Sequence, residues 1–153
     1  MRYWLITDTH FGHRKLEEYG RPLGFDERIM ANCQKTFSQM QVNKTDDIII
    51  HLGDVALCKS EEALVWHERF TALPGKKILV LGNHDKKSDS WYYARGWDFV
   101  CRSFSLKFLG NRILFTHIPQ EKFHRHNLNI HGHFHDSDHR SQEPEIKALY
   151  NPA

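Results

Sequence analysis

Between Gly75 and Gly82 stands a short run of branched apolar side chains, Ile78-Leu79-Val80-Leu81, and directly after it come Asn83-His84-Asp85. So short an apolar run bounded by glycines reads as a buried strand. Its ending restricts the fold. An amide, an imidazole and a carboxylate in succession add nothing to a core, and the carboxyl end of a strand is where an open α/β sheet binds its ligands. Gly82 is expected to let the chain turn sharply there.

Four other segments end in the same manner. Tyr3 to Ile6 reads as a first strand, followed by Asp8-Thr9-His10. Residues 14 to 24, with Gly20, Pro22 and Gly24, read as an irregular loop. Asp26 is the expected cap of a helix running to about residue 42, with Phe25, Ile29, Met30, Cys33, Phe37 and Met40 as its apolar stripe. Ile48 to Ile50 is a second buried strand, ending in His51-Leu52-Gly53-Asp54. A helix starts at Ser60, where Glu61 and Glu62 favour its positive end, and stops at Pro74-Gly75. Another is expected from about Ser88 to Arg95, ended by Gly96.

The pattern then changes to alternation. Phe104, Leu106 and Phe108 precede the turn signal Gly110-Asn111, and Arg112-Ile113-Leu114-Phe115 follows, which predicts a β-hairpin ending in His117. Leu128-Asn129-Ile130 is a further strand, leading into His131-Gly132-His133-Phe134-His135. A last edge strand is expected at Ile146 to Tyr150.

Composition limits the classes that remain. At 153 residues, with 40% hydrophobic and 26% charged residues, the chain is expected to be one globular domain spanning 1–153. No stretch approaches the roughly 20 apolar residues of a membrane span, and the start offers no signal-peptide core, so a cytoplasmic location without membrane attachment is expected. Three cysteines (Cys33, Cys58, Cys101) without paired spacing indicate neither a disulfide framework nor a zinc ribbon, and read as small buried apolar residues. A formal charge of +2 falls short of the footprint of a dedicated nucleic-acid-binding domain. Twelve histidines are the unusual count, since imidazole is the commonest protein ligand of transition metals.

Asp8-x-His10 and His133-x-His135 can each aim two ligands at one centre if the segments are extended, because alternate side chains point the same way. Setting His84 aside, the strand ends offer Asp8, His10, Asp54, Asn83, His117, His133 and His135. That set is too large for one tetrahedral ion. It suits two ions about 3.5–4 Å apart with one bridging carboxylate. Imidazole mixed with carboxylate and carboxamide favours manganese, iron, zinc or nickel, manganese foremost, over an all-oxygen magnesium or calcium site.

In chain order these blocks read DxH, GD, GNHD, H and GHxH, and in this the chain resembles the calcineurin-like metallophosphoesterases. The blocks span residues 8 to 135, and the DTHFGH opening is most similar to small phosphoesterases of bacteria and phages. The resemblance implies a four-layer αββα sandwich of two mixed β-sheets flanked by helices. It implies Asp8, His10 and His135 on a first metal, Asn83, His117 and His133 on a second, and Asp54 bridging. It further implies hydrolysis of a phosphomonoester or phosphodiester by in-line attack of a hydroxide held between the metals, with His84 contacting the phosphate and protonating the leaving oxygen. The expected substrate is a small phosphoester or nucleotide; a nucleic acid is compatible with the family but not indicated by charge.

One block departs from the protein phosphatases of that superfamily. Where they carry GDxxDR, this chain reads Gly53-Asp54-Val55-Ala56-Leu57-Cys58 and lacks the phosphate-gripping arginine. His13, Arg21 or a residue of His124-Arg125-His126 are the candidates to replace it, and substrate choice would rest on loops 11–24 and 118–127. His51, His67, His131 and His139 are expected to be structural or at the surface, Lys76-Lys77 and Lys86-Lys87 to be solvated, and Trp91, Tyr92 and Tyr93 to pack.

Two other classes fit the sequence less well. A metallo-β-lactamase needs HxHxDH, and His133-Phe134-His135-Asp136-Ser137-Asp138-His139 has one residue too many. An interaction scaffold on this fold would be expected to have lost His84 or a ligand, and none is replaced.

Overall fold

Four strands, β1 (Tyr3–Ile6), β2 (Ile48–His51), β3 (Lys76–Val80) and β4 (Phe99–Cys101), lie side by side in chain order in a computed structural model of the protein. The structure describes residues 1–43, 45–120 and 125–134. Every pairing in this first sheet is parallel. Parallel neighbours need crossovers, and these carry α1 (Lys15–Glu18) and α2 (Phe25–Gln39), then α3 (Ser60–Thr71), then α4 (Asp89–Tyr93). Right-handed crossovers between strands laid down in sequence put their helices on one face. Trp4, Ile6, Ile49, Leu79 and Val100 accordingly point to one side and pack against Met30 and Phe37 of α2, Trp66 and Phe70 of α3 and Tyr92 of α4.

The opposite face is left for a second sheet. Tyr3, Ile48, Ile50, Ile78, Val80 and Cys101 alternate with the first set and meet Phe104, Leu106, Ile113, Phe115 and Ile130. Those belong to β5 (Ser103–Phe108), β6 (Asn111–Thr116) and β7 (Leu128–His131). β5 and β6 are antiparallel, β6 and β7 parallel. The α/β fold of two face-packed sheets with flanking helices is as expected. Only the second sheet is mixed, and among the described residues no helix lies beyond β7 to form a fourth layer.

Several local expectations need correction. The loop 14–24 contains a turn of helix, α1, and Asp26 does not cap α2. Gly24 stands at the cap in the left-handed region (φ 66), while Asp26 is buried and accepts hydrogen bonds from the Gly12 amide (3.1 Å) and Arg14 (3.2 Å). The helix ends at Gln39, not 42. The hairpin turn is Leu109-Gly110 instead of Gly110-Asn111, since Phe108 pairs with Asn111 and both turn residues have positive φ (47 and 81), the type I′ geometry that matches strand twist. β4 escapes the sequence because three residues show no periodicity.

Lys77 is buried rather than solvated, its ammonium donating to the carbonyls of Leu73 and Gly75 behind α3. The three cysteines are half-buried and free. Tyr92 is core and Trp91 packs edge-on against His67. The expected edge strand at 146–150 and His139 lie outside the described residues. No helix among the described residues is long and apolar enough to cross a membrane.

Candidate metal centre

Because β1, β2 and β3 run parallel, their carboxyl ends open at one edge, and β6 and β7 bring theirs to the same place. Asp8 and His10 follow β1, Asp54 follows β2, Asn83 and His84 follow β3, His117 follows β6 and His133 follows β7. The loops are tied to one another by main-chain bonds, Asp8 N–H to the Gly53 carbonyl (3.1 Å), His10 N–H to that of Asp54 (3.0 Å) and Gly132 N–H to that of His117 (3.0 Å).

The convergence does not come from extended backbone. Asp8, His10, Asp54 and His133 all have positive φ (51, 47, 55 and 72), a region that costs a non-glycine residue roughly 1–3 kcal/mol. Each left-handed residue swings its side chain out of the strand's alternation toward the shared edge. Four such residues at one place are held by the surrounding bonds, and strain of this kind clusters at functional sites.

Donor atoms collect in two groups with Asp54 in both: Asp8, His10 and Asp54, and Asp54, His117 and His133. Within each group the ligand atoms lie within 4.8 Å of one another. His10 Nε2 is 3.7 Å from Asp8 Oδ1 and 3.7 Å from Asp54 Oδ2, and His117 Nε2 is 3.4 Å from Asp54 Oδ2. Asn83 Oδ1 approaches His117 Nε2 at 2.9 Å and His133 Nδ1 does so at 3.2 Å. His135, the remaining expected ligand, lies outside the described residues.

Electrostatics favour anions on the carboxylates. Burial opposes ionisation of Asp8, but hydrogen bonds from His10, from the Thr7 hydroxyl (2.6 Å) and from the His133 amide (3.0 Å) outweigh it and hold the carboxyl well below its usual range. Asp54 is lowered in the same way: burial acts against it and is overcome by His117 and by the His84 amide (2.9 Å). Burial lowers His133, and the neighbouring His117 adds to that.

This donor set fits a metal. The Nδ1 of His117 faces the carbonyl oxygen of Leu52 at 2.7 Å, so that nitrogen carries the hydrogen and donates. Its Nε2 faces a carboxylate oxygen, a carboxamide oxygen and a second imidazole; in the metal-free protein Asp54 favours a proton there, and once that proton is lost Nε2 presents a lone pair to all three. Lone pairs directed at one another are repulsive unless a cation stands between them. Asp8, His10, Asp54, Asn83, His117 and His133 would hold two ions, Asp54 contributing to both.

Outside the donor set, His84 is exposed and its ring lies 5.7 Å from that of His10, edge to face. His13 is half-buried, its ring 6.1 Å from that of His10, and burial lowers its pKa. Arg21 spends two N–H groups on the carbonyls of Thr9 (2.7 Å) and Asp8 (2.6 Å), and its guanidinium lies over Phe25. It anchors the loop that carries two donors. Arg125 and His126 lie beside Lys107 and Arg112, at the far end of β6 from His117.

Two residues of the central block have other roles than expected. Asp85 is buried and its carboxylate accepts from the amides of Asp54 (2.7 Å), Gly82 (2.9 Å) and Val55 (3.3 Å), clamping the second loop to the third. Its position in the Gly82-Asn83-His84-Asp85 run was the available signal. Gly82 is needed for close approach and not for a turn: its φ is not positive, and a Cβ there would lie 2.8 Å from Asp54 Cγ. His51 is structural as expected. Its Nδ1 accepts from the Gly53 amide (3.2 Å), which leaves Nε2–H to donate to the Thr9 hydroxyl (3.0 Å), and burial depresses its pKa to about 3.

The chain is similar to several known proteins. A protein of Methanocaldococcus jannaschii described as the uncharacterized protein MJ1445 is 28% identical over 151 residues, 95% of this chain and 75% of that one. The gene 66 protein of Mycobacterium phage L5 is 34% identical over 85 residues, 54% of this chain and 39% of its own length. A crystal structure of a protein of unknown function from Aquifex aeolicus superposes with a TM-score of 0.63 at 25% identity, covering 98% of this chain and 71% of that one. The nuclease MPE of Pseudomonas putida shares the fold with a TM-score of 0.58 at 20% identity over 82% of this chain and 58% of its own. The profile of the calcineurin-like phosphoesterases matches residues 1–150. With that match running nearly end to end over the strand edge that gathers its donors, the chain belongs to the calcineurin-like phosphoesterase family.

Proposed function

We propose that the protein hydrolyses a phosphomonoester or phosphodiester with two divalent transition-metal ions, manganese in first place and iron, zinc or nickel as alternatives. The observation that supports this reading best is that one carboxylate, Asp54, belongs to both donor groups. When bound, the ion pair supplies charge neutralisation at phosphorus and a water of lowered pKa.

The chain's own residues do the rest. Asp8 and Asp54, ionised through their hydrogen bonds, would hold the cations at the strand edge. His84 takes its main-chain anchor from Asp54 and leaves its ring exposed beside His10, where it would contact the phosphate and give a proton to the leaving oxygen. His13, on the other flank of His10, would contact a phosphoryl oxygen. The substrate class is a phosphoester, a small or nucleotide-type compound first and a nucleic acid as the alternative, and the expected place of action is the cytoplasm.

The test is hydrolysis of an aryl phosphate monoester and the corresponding diester by the manganese-loaded wild type and His84→Ala, with metal content measured on both. Turnover lost in the variant at unchanged metal content supports the reading. A wild type that holds two metals and hydrolyses neither ester overturns it in favour of an interaction scaffold.

A further inference from the structure

On the second sheet, β5 sends Phe104 and Leu106 toward the first sheet and therefore Lys107 outward, while β6 sends Ile113 and Phe115 inward and therefore Arg112 outward. Lys107 and Arg112 are direct cross-strand partners. Like charges so placed destabilise a sheet. They line an open surface recess together with Gly110, Arg125, His126 and Asn127. Among the described residues no carboxylate lies within ion-pairing distance of Lys107, Arg112 or Arg125.

The segment that brings Arg125 is fastened in place. Asn127 and Arg112 exchange two bonds, Arg112 N–H to Asn127 Oδ1 (2.8 Å) and Asn127 N–H to the Arg112 carbonyl (2.8 Å), and His126 Nε2 meets the Ser105 hydroxyl at 2.5 Å. Three cations around one recess, with no counter-charge among the described residues, call for an anion, and two of them are guanidinium forks matched to phosphate geometry.

We propose that this recess is a second phosphate-binding site, apart from the metal centre, which holds a backbone phosphate of a nucleic-acid strand. Arg112 precedes Thr116, the last residue of β6, by a stretch of about 13 Å at roughly 3.3 Å per residue, and His117 follows beyond it. One strand of a duplex carries a phosphate for every ~3.4 Å of helix axis. A molecule that touches both places must therefore carry several phosphates in a row, which a mononucleotide does not. The link to the metal centre rests on the phosphoesterase reading and narrows its substrate to a polynucleotide; the binding itself does not depend on it.

The experiment uses the full chain with a chelator, so that no strand is cleaved, and follows the fluorescence anisotropy of a labelled strand of about twenty nucleotides, single and in duplex, over a salt series. Lys107→Gln with Arg112→Gln is expected to weaken duplex binding on the order of tenfold or more at low salt and to reduce the log–log salt slope by about one, the worth of one phosphate. Arg125→Gln alone should reduce it by no more than that. Unchanged affinity and slope in the double variant overturn the site, and equally tight binding of an acidic peptide of the same charge overturns the nucleic-acid assignment. Hydrolysis of a small aryl ester with manganese should be the same in wild type and double variant. If the wild type hydrolyses no ester while strand binding still depends on these cations, the hydrolase reading falls and the recess's assignment stands.

Discussion

The Nδ1–H of His117 donates to the carbonyl oxygen of Leu52 at 2.7 Å. That bond joins the end of the second sheet to the loop leaving the first, and it sets the ring so that Nε2 looks into the donor cluster. A second contact that orients an imidazole ligand is part of how a site binds metal.

Asp54→Asn should lower metal content more than any other single change at the centre, because both donor groups lose their shared member. Two ions per chain in the wild type are expected to fall below one in the variant, read by elemental analysis. Retention of two would remove Asp54 from its central place.

His84→Ala is expected to reduce kcat by roughly 10²–10⁴, the usual worth of a general acid, and to leave metal content alone. Its ring touches no carboxylate among the described ion pairs, so the fold should be unaffected, which the thermal midpoint checks.

Gly82→Ala puts a methyl group against the Asp54 carboxylate and main-chain nitrogen (2.5 Å). Overpacking of this kind costs about 1–3 kcal/mol. Denaturant titration should show that loss, accompanied by weaker metal binding. A neutral result would mean that the two loops can separate.

Acid should weaken the metal-free fold through two buried histidines. Burial lowers the pKa of His51 to about 3 and that of His67 to about 4, against roughly 6.5 in an unfolded chain. As pH falls below that value the unfolded state takes up protons that the folded state refuses, so stability declines with falling pH by up to about 1.4 kcal/mol per unit for each residue. His117 works the other way: burial alone would lower it, but Asp54 and the Leu52 carbonyl raise it overall, so its contribution is present at low pH and lost as pH rises. His67→Gln isolates one share, since it still offers Trp97 an acceptor in place of Nδ1 (3.0 Å) and cannot titrate. Its urea midpoint should fall less between pH 7 and about pH 5 than that of the wild type.

Much of the architecture could be read from the chain because it depends on neighbours in sequence. Tyr3–Ile6, Ile48–His51 and the hairpin follow from apolar runs, alternation and turn residues, and the strand-end blocks named candidate donors that, His135 aside, the structure brings to one edge. What only the tertiary structure decided is how those donors meet. Asp8 accepts from the amide of a residue 125 positions away, and Asp85 bonds a loop 31 positions back. The same holds for the left-handed backbone at Asp8, His10, Asp54 and His133, for the anchoring task of Arg21 and for the separation of Arg125 from the metal centre. A pattern of side chains records which residues prefer a core or a turn. The conformations that cost energy locally, and the groups that are spent on holding them, are set by partners that come close only when the two sheets pack together.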